Sequence, residues 1–572
     1  MRPVYSFQTV ARSTQYQFGR FQPGEYHFDS HPILSSSGAP TPSKVLLMLA
    51  LLGGDTLSPL SFVADHLNPK FGLSHRKNKC GTEELLDRAK GLSYRNLAGM
   101  PGHNICRDNM NIEAAKKSID HQFDHGLLQA LQDFIRVPNQ SPNFDSEWEM
   151  NGHMDAAMKV ITDWIDVQGV TGLTYQIMRE PKRTPLLLID IPRSAHYTTD
   201  ETVLMYGHMD KQPPLSQDDW AEGLSPYVPV TRGERLYGRG SADDGYAVFC
   251  SIAAVKVVQQ QNLAHPRIII TIEACEESGS ADFPYYMEKL THFLGDVRLV
   301  VCLDTGGGNY DQLWLTTTLR GIAAGTLTVK ILREGIHSGD ASGVVPSSFR
   351  ILRILLDRME DSKSGEILIP ELYQTIPSER MQQIHACAET LRDDVHNKVP
   401  FVRGAHPISG NHSELLGNRT WKPQLAVTGA DGFPPTASAG NVMRAESSLK
   451  LSVRLPPGID ATMATEKMKE ILERDPPYGA HVSFHPENPG NGKCLVVDAI
   501  LTSSGWESPP LTPWLSESLQ KSSRAFYNQP ALLMGCGGAI PFMGMLGQRF
   551  PLAEFVVTGS SGPETNAHGD TF

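Results

Sequence analysis

Five short segments of the chain carry side chains of the kinds that ligate metal ions. Nearly all of them follow short, β-rich apolar runs, so their polar residues come where a strand ends. Two histidines, two aspartates and a glutamate are the ligand inventory of a two-metal hydrolytic site, and a spare glutamate supplies its general base. The pattern predicts metal-dependent amide hydrolysis. The segments are GHMDKQPP around His208, GRGSADDGYA around Asp243, IEACEESGS around Glu276 and Glu277, VVCLDTGGG around Asp304, and GPETNAHGD around His568.

The first segment places His208 two residues before Asp210, at the end of an apolar strand. Alternation in an extended chain puts both side chains on the same side. The imidazole can then bind a metal ion while the carboxylate orients the ring. An isolated H-x-D is common by chance, so this pair is a candidate metal-binding pair only in combination with the other segments.

The second segment joins Asp243 and Asp244 to a glycine-rich turn. Glycine lets the backbone approach a cluster closely, and a carboxylate in such a turn can bridge two cations with its two oxygens. Asp244 has a second interpretation, since it stands where the N-cap of the following helix would lie. Both interpretations can hold together, with Asp243 in the site and Asp244 at the cap.

Glu276 and Glu277 follow directly on the apolar strand IIITIEAC. Adjacent carboxylates point in different directions, so one can coordinate a metal while its neighbour holds the nucleophilic water. Two negative charges this close are costly unless cations compensate them. Asp304 closes another apolar strand, where a charge is more often functional than not. His568 is included among the candidate ligands because the predicted two-metal site needs one more imidazole.

The bulk composition narrows the class of protein. A chain of 572 residues exceeds what one hydrophobic core usually supports, so two or more domains are expected. The net charge of -12, with no basic stripe, argues against a nucleic-acid partner. Eight cysteines without a CxxC pair argue against a disulfide scaffold and a thiolate zinc site. The apolar run from Val45 to Leu52 is too short to span a bilayer, and we expect a cytoplasmic protein with no membrane partner.

The elements that position these residues alternate between strand and helix from the strand at Leu186 to Asp304. Continuous apolar strands in this rhythm predict an α/β catalytic domain, with a central, mostly parallel sheet sandwiched by helices. The candidate ligands fall at the carboxyl ends of those strands, where open α/β sheets place their sites. Later strands alternate in period two, which predicts an inserted α+β domain. The predicted divisions are an N-terminal extension (1–110), a catalytic domain (111–315 and 491–572) and the insertion (316–490).

With all five segments in order, the chain resembles the aminoacylase, carboxypeptidase and carnosinase family of di-zinc metallopeptidases, and within it the dipeptidase and Gly-X carboxypeptidase branch. The resemblance covers about four-fifths of the chain and implies two zinc ions, with manganese or cobalt as other possible metals. It also implies a role for each candidate: terminal ligands His208 and Glu277, paired with Asp304 and His568; the bridging ligand Asp243; and the general acid and base Glu276.

In that family the inserted domain is a lid that also forms the dimer, so the resemblance implies a homodimer. GIHSGDASG matches the lid segment whose histidine, here His337, reaches the partner's active site to stabilise the oxyanion. The segment NVMRAESSLKLSVRLPP, which begins at Asn441, matches the one whose arginine, here Arg454, holds the substrate carboxylate. GGAIPF contains Gly538 and resembles the glycine-rich loop at the substrate's C-terminal end. Substrate binding is therefore expected at Asn441, Arg454 and Gly538, and catalysis at Glu276, His337 and Asp210.

Three functions stay open on these residues. The leading one is hydrolysis of dipeptides or short peptides that carry a free C-terminal carboxylate. The first alternative is an aminoacylase-type amidase that uses the same metals on N-acyl amino acids. The second is a non-catalytic zinc-binding relative, against which the retention of every proposed ligand speaks. Gly245 and Tyr246 follow the aspartate pair where many family members carry a lysine, and this leaves substrate preference open.

Overall fold

The computed structural model describes residues 110–216, 220–486, 504–540 and 542–565. The predicted N-terminal extension up to residue 109, with its apolar run, lies outside these ranges, as does His568. The strands are β1 (Thr174–Met178), β2 (Leu186–Ile191), β3 (Glu201–His208), β4 (Val230–Arg232), β5 (Arg235–Tyr237), β6 (Arg267–Glu273), β7 (Asp296–Cys302), β8 (Trp314–Leu319), β9 (Gly321–Lys330), β10 (Ile336–His337), β11 (Gln424–Asp431), β12 (Val442–Met443), β13 (Glu446–Leu455), β14 (His481–Pro486), β15 (Trp506–Glu507), β16 (Leu532–Cys536) and β17 (Glu554–Val557).

Helices fill most of the connections between these strands. None of those in the described ranges is long and apolar enough to cross a membrane. The helices are α1 (Ile112–Gln122), α2 (Leu128–Ile135), α3 (His153–Asp166), α4 (Tyr246–Gln260), α5 (Phe283–Lys289), α6 (Thr291–Leu294), α7 (Ser338–Ala341), α8 (Ser348–Leu356), α9 (Ser378–Leu391), α10 (Asp394–Asn397), α11 (His412–Thr420), α12 (Ala461–Glu473), α13 (Pro513–Tyr527) and α14 (Met543–Arg549).

The largest sheet has six strands in the order β1-β2-β6-β3-β7-β17. β6, β3, β7 and β17 run parallel to one another, while β2 pairs antiparallel with β6 and β1 antiparallel with β2. Side chains alternate across the sheet, so in β3 Met205 packs into one helical layer and Leu204 and Tyr206 into the other. The first layer includes α1 to α4 and α13, and the second includes α5 and α14. The prediction of a mostly parallel sheet sandwiched by helices is confirmed.

A second, four-stranded antiparallel sheet has the order β11-β13-β9-β14. Along β13 burial alternates residue by residue, as the period-two sequence predicts. The buried face packs against α8 and α12 in a hydrophobic core of its own, which includes Leu327, Leu352, Leu451 and Met468. This α+β unit matches the fold class expected for the insertion, whose exact boundaries stay a prediction.

The described residues also contain a small three-stranded sheet and a further hydrophobic cluster. β8 pairs with β16 in parallel and with β15 antiparallel, forming a small three-stranded sheet that the sequence did not reveal. Trp314, at the start of β8, packs with residues of α9, α10 and α11 in a separate hydrophobic cluster.

Candidate active site

His208 ends β3 with a side chain that is completely buried. Its two ring nitrogens have different partners: Nδ1 lies 3.1 Å from the carbonyl oxygen of Asp210, and Nε2 lies 3.1 Å from Oδ1 of Asp243. The preceding glycine is required by packing, because a Cβ on Gly207 would lie 2.6 Å from the Cβ of Ala247 at the start of α4. The close approach of β3 to α4 therefore brings the imidazole to the second acidic segment.

Asp210 connects the first segment to the third. It is fully buried, and its Oδ1 and Oδ2 accept the backbone N–H groups of Glu276 and Glu277, each at 3.1 Å. Its Oδ1 also lies 3.4 Å from Nδ1 of His208. The carboxylate thus does more than orient the imidazole, because it also fixes the turn that carries both glutamates.

Asp243 and Asp304 complete a group of three potential ligands with His208. One ligand atom from each residue lies within 4.8 Å of the others, and Nε2 of His208 is 3.9 Å from Oδ1 of Asp304. Asp304 follows β7 as predicted, while Asp243 lies in the turn Ser241–Gly245 before α4, with a non-helical backbone conformation of its own. One imidazole nitrogen and two carboxylates, all largely shielded from solvent, are a donor set that suits a divalent ion such as zinc.

Asp244 is not the N-cap residue of α4, which was one of the two interpretations of its sequence position. Its Oδ2 accepts the backbone N–H of His208 at 3.2 Å, and Gly245 is the N-cap residue of α4. Its Oδ1 is buried and makes no hydrogen bond with any other residue in the described ranges. Asp244 therefore supports the strand end that carries His208.

The electrostatics of this group reflect several carboxylates packed together. Burial, with repulsion from Asp304 and Glu277, raises the pKa of Glu276 well above its usual range. Burial raises the pKa of Asp304 in the same way, with Asp243 adding to the shift. Burial lowers the pKa of His208, but hydrogen bonds to Asp210 and Asp243 outweigh it and raise the pKa well above its usual value. A bound cation would compensate this excess of negative charge.

Glu276 and Glu277 form the 3-10 turn Glu276–Ser278 after β6. Oε2 of Glu277 accepts a hydrogen bond from Gln212 at 2.5 Å. Sequence reasoning missed Gln212, although its position within the first segment, two residues after Asp210, was the available signal. It also missed Lys211, whose buried Nζ donates to the carbonyl oxygens of Phe134 and Val137 at the end of α2. Nothing in the sequence pattern distinguishes that lysine from a surface one.

The candidates outside the catalytic segments are not members of the ligand group of His208, Asp243 and Asp304. His337 is exposed on β10, and Asn441 is exposed as well. Arg454 lies on β13, partly buried, and Gly538 accepts a hydrogen bond from the backbone of Arg320 at 3.0 Å. The segment that leads towards His568 passes the site, because Gly559 forms a β-bridge with Asp304. The structure thus assembles six of the predicted residues: His208, Asp210, Asp243, Glu276, Glu277 and Asp304.

The model of peptidase family M20/M25/M40 matches residues 204–571, which include every one of the five segments. The chain belongs to this family. The cysteinylglycine-S-conjugate dipeptidase of Corynebacterium striatum is 24% identical over 376 residues, which are 64% of this chain and 76% of that protein. The Cys-Gly metallodipeptidase of Candida albicans is 25% identical over 439 residues, 73% of this chain and 84% of that protein.

A solved structure shares the M20 fold with this chain. Human carnosine dipeptidase 1 superposes with a TM-score of 0.60 at 21% identity, over 80% of this chain and 94% of that one. Membership of the family makes the chain a metal-dependent peptidase. The donor set around His208 fits that requirement, because nitrogen and carboxylate oxygens converge where the carboxylates carry uncompensated charge.

Proposed function

We propose that this protein hydrolyses dipeptides or short peptides with a free C-terminal carboxylate, and that Glu276 is its general acid and base. The observation that carries the proposal is the position of Glu276, whose backbone N–H is held by Asp210 beside the ligand group of His208, Asp243 and Asp304. The dipeptidase relatives, whose names describe dipeptide substrates, support the substrate class.

We assign the metal ligands as the family resemblance implies. His208, Asp243 and Asp304 would hold one ion, Glu277 and His568 would be ligands of a second, and Asp243 would be shared between the two. Zinc is the proposed metal, with manganese or cobalt as alternatives. When bound, the ions lower the pKa of a water molecule and polarise the scissile carbonyl group.

Glu276 handles the proton in this proposal. Its carboxylate takes a proton from the attacking water and later delivers that proton to the nitrogen of the leaving amine. In the metal-free chain, burial and repulsion from neighbouring carboxylates raise the pKa of Glu276, and bound cations would lower it towards its usual range. Asp210 positions Glu276 through the backbone and contacts the imidazole of His208.

Recognition of the substrate carboxylate is assigned to Arg454, with Asn441 and Gly538 beside it. Within the described residues the guanidinium of Arg454 makes no hydrogen bond or ion pair, and burial lowers its pKa. A partly buried cation without an anionic partner is costly, and a substrate carboxylate would compensate it. His337 is proposed to stabilise the oxyanion in the site of a partner subunit, which requires a homodimer; its exposed side chain is accessible to such a partner.

A substrate panel tests the proposal against its two alternatives. Purified protein loaded with zinc is given a dipeptide, the same dipeptide with a C-terminal amide, and N-acetyl amino acids. We expect fast hydrolysis of the dipeptide and slow hydrolysis of the amide. Preference for the N-acetyl amino acids would favour the aminoacylase function. Zinc binding with no hydrolysis of any substrate would favour a non-catalytic relative.

We also propose the cytoplasm as the compartment. All five cysteines in the described ranges, four of them buried and Cys536 half-buried, are free thiols, as proteins of reducing compartments usually have. Cell fractionation would test this, and recovery of the protein from the secreted fraction would contradict it.

A further inference from the structure

Three helices, α9, α10 and α11, meet at a packed corner around Trp314. Leu391 at the end of α9, Val395 in α10 and Leu416 in α11 are buried together in the cluster around Trp314. The N-terminus of α11 is also fixed, because Asn411 accepts the backbone N–H of Glu414. Side chains on these short elements therefore project from a well-supported scaffold.

Asp393, His396 and His412 come together on the solvent side of that corner. One ligand atom from each lies within 4.8 Å of the others. Nε2 of His412 is 3.1 Å from Oδ1 of Asp393, and the two imidazole rings stack with their centroids 5.8 Å apart. Asp393 and His396 stand three residues apart at the start of α10, and His412 is the first residue of α11.

A simple ion pair between Asp393 and His412 accounts for only part of this arrangement. Nδ1 of His396 is shielded from solvent and makes no hydrogen bond with the part of the chain that the structure describes. A shielded imidazole nitrogen without a partner costs free energy, because it has given up its hydrogen bonds to water. An ion bound by His396 would offset that cost.

We propose that Asp393, His396 and His412 form a second metal site, distinct from the catalytic one, for a divalent transition ion such as Zn²⁺. Two imidazoles and a carboxylate are ligands that suit zinc. Ligands at about 2.1 Å from one ion are at most about 4.2 Å apart, so rotations of these partly exposed side chains close the remaining gap. The ion joins α10 to α11 across residues 398–411 and stabilises this corner.

An open cleft lined by Arg392, Asn411 and His412 gives an ion access from solvent. The side chain of Asp393 is 74% exposed and that of His412 28% exposed, so water completes the coordination. The site is therefore expected to exchange its metal more readily than the buried catalytic group.

Metal counting on the full chain tests this proposal. Protein stripped with a chelator is dialysed against Zn²⁺, and bound zinc per chain is measured by mass spectrometry for the wild type, His396→Asn and His412→Asn. Each variant should bind about one ion fewer per chain than the wild type. His385→Asn is the matched control, since His385 lies on the neighbouring helix α9 outside the ligand group and bonds Ser413. Equal zinc content in the wild type and both variants would overturn the proposal.

A measurement on the wild type alone guards against variants that fold poorly. Hydrogen exchange is followed with and without Zn²⁺ in residues 398–411 and, for comparison, in α12. The proposal predicts slower exchange in residues 398–411 when zinc is present, with no change in α12. Exchange that does not respond to zinc in residues 398–411 would contradict the site, whatever the state of the catalytic centre.

Discussion

Asp210 illustrates how single residues hold the catalytic segments together. Both of its oxygens accept backbone N–H groups, from Glu276 and Glu277, and the side chain is shielded completely from solvent. Asp210 therefore fixes the turn that carries both glutamates next to His208, while the side chain of Glu276 remains available for proton transfer.

The carboxyl group of Glu273 should make the stability of the metal-free protein depend on pH. Burial raises its pKa to about 7, although Tyr206 and Ser280 donate hydrogen bonds to Oε1. Because the folded pKa exceeds the unfolded one, the contribution of Glu273 to stability is complete below the unfolded pKa and is lost as the pH rises through the folded pKa.

Glu273→Gln should therefore flatten the decline in the free energy of unfolding between about pH 4.5 and pH 7, by roughly 3 kcal/mol over the range. Denaturant titrations of chelator-treated protein at several pH values measure this. A variant with the same pH dependence as the wild type would show that Glu273 does not titrate in this range.

Arg454 provides a test of substrate recognition. Arg454→Met removes the unpaired guanidinium while keeping most of the apolar volume, so KM for dipeptides should rise by about 10- to 100-fold, since a charge-assisted hydrogen bond is worth about 1.5–3 kcal/mol. KM for the C-terminal amide should change far less. Arg350→Met is the matched control, because Arg350 is an exposed arginine of the same unit, on α8. Equal KM values for Arg454→Met and the wild type would remove Arg454 from the substrate site.

At the scale of elements, the contact between β3 and α4 sets the geometry of the ligands. A Cβ on Gly207 would lie 2.6 Å from the Cβ of Ala247 and 2.9 Å from Oδ2 of Asp244. Gly207→Ala should push the strand end from the helix and lower turnover by about 10²-fold, the cost of a displacement of about 1 Å at a catalytic group. Gly544→Ala is the control, because a Cβ there meets nothing within 4 Å. Wild-type turnover in Gly207→Ala would contradict this account.

Many of the strands and helices can be predicted from the hydrophobic periodicity of the sequence. The apolar run from Thr202 to His208 predicts a strand, and β3 covers Glu201–His208. The run from Ala247 to Gln259 predicts a helix, and α4 covers Tyr246–Gln260. The carboxyl ends of adjacent parallel strands meet at one edge of a sheet, so the convergence of His208 and Asp304 was also predictable.

Other features leave no local pattern in the sequence. β8 buries three threonines, Thr316 to Thr318, so its central strand position is not visible as an apolar run. The antiparallel place of β2 depends on long-range pairing with β6, which periodicity does not encode. Buried Lys211 depends on three carbonyl oxygens near the end of α2 that only the fold brings within reach. In each case tertiary contacts override what the local residues indicate.

At the scale of the whole molecule, the proposed homodimer predicts complementation between defective chains. Chains carrying Glu276→Gln are coexpressed with chains carrying His337→Ala, under different tags, and the mixed dimer is purified. If His337 acts in the partner's site, one of the two sites then has both groups intact. The mixed dimer should show about half of the wild-type activity while each parent shows little.

The matched control places both changes on one chain. In a mixed dimer of the double variant with the wild type, neither site has both groups if His337 acts across the interface, so activity should stay low. Activity in this control, without activity in the first mixture, would show that His337 acts within its own chain. A protein that elutes as a monomer while fully active would contradict the dimer proposal.

The central claim is that Glu276 transfers the proton in a metal-dependent hydrolysis, and one comparison tests it directly. Bound zinc per chain and kcat on a dipeptide are measured for the wild type and Glu276→Gln, with Glu288→Gln as a control at an exposed glutamate on α5. We expect unchanged zinc content in Glu276→Gln, with kcat lower by about 10²- to 10⁴-fold. Hydrolysis by Glu276→Gln at the wild-type rate, with zinc bound, would contradict the assignment.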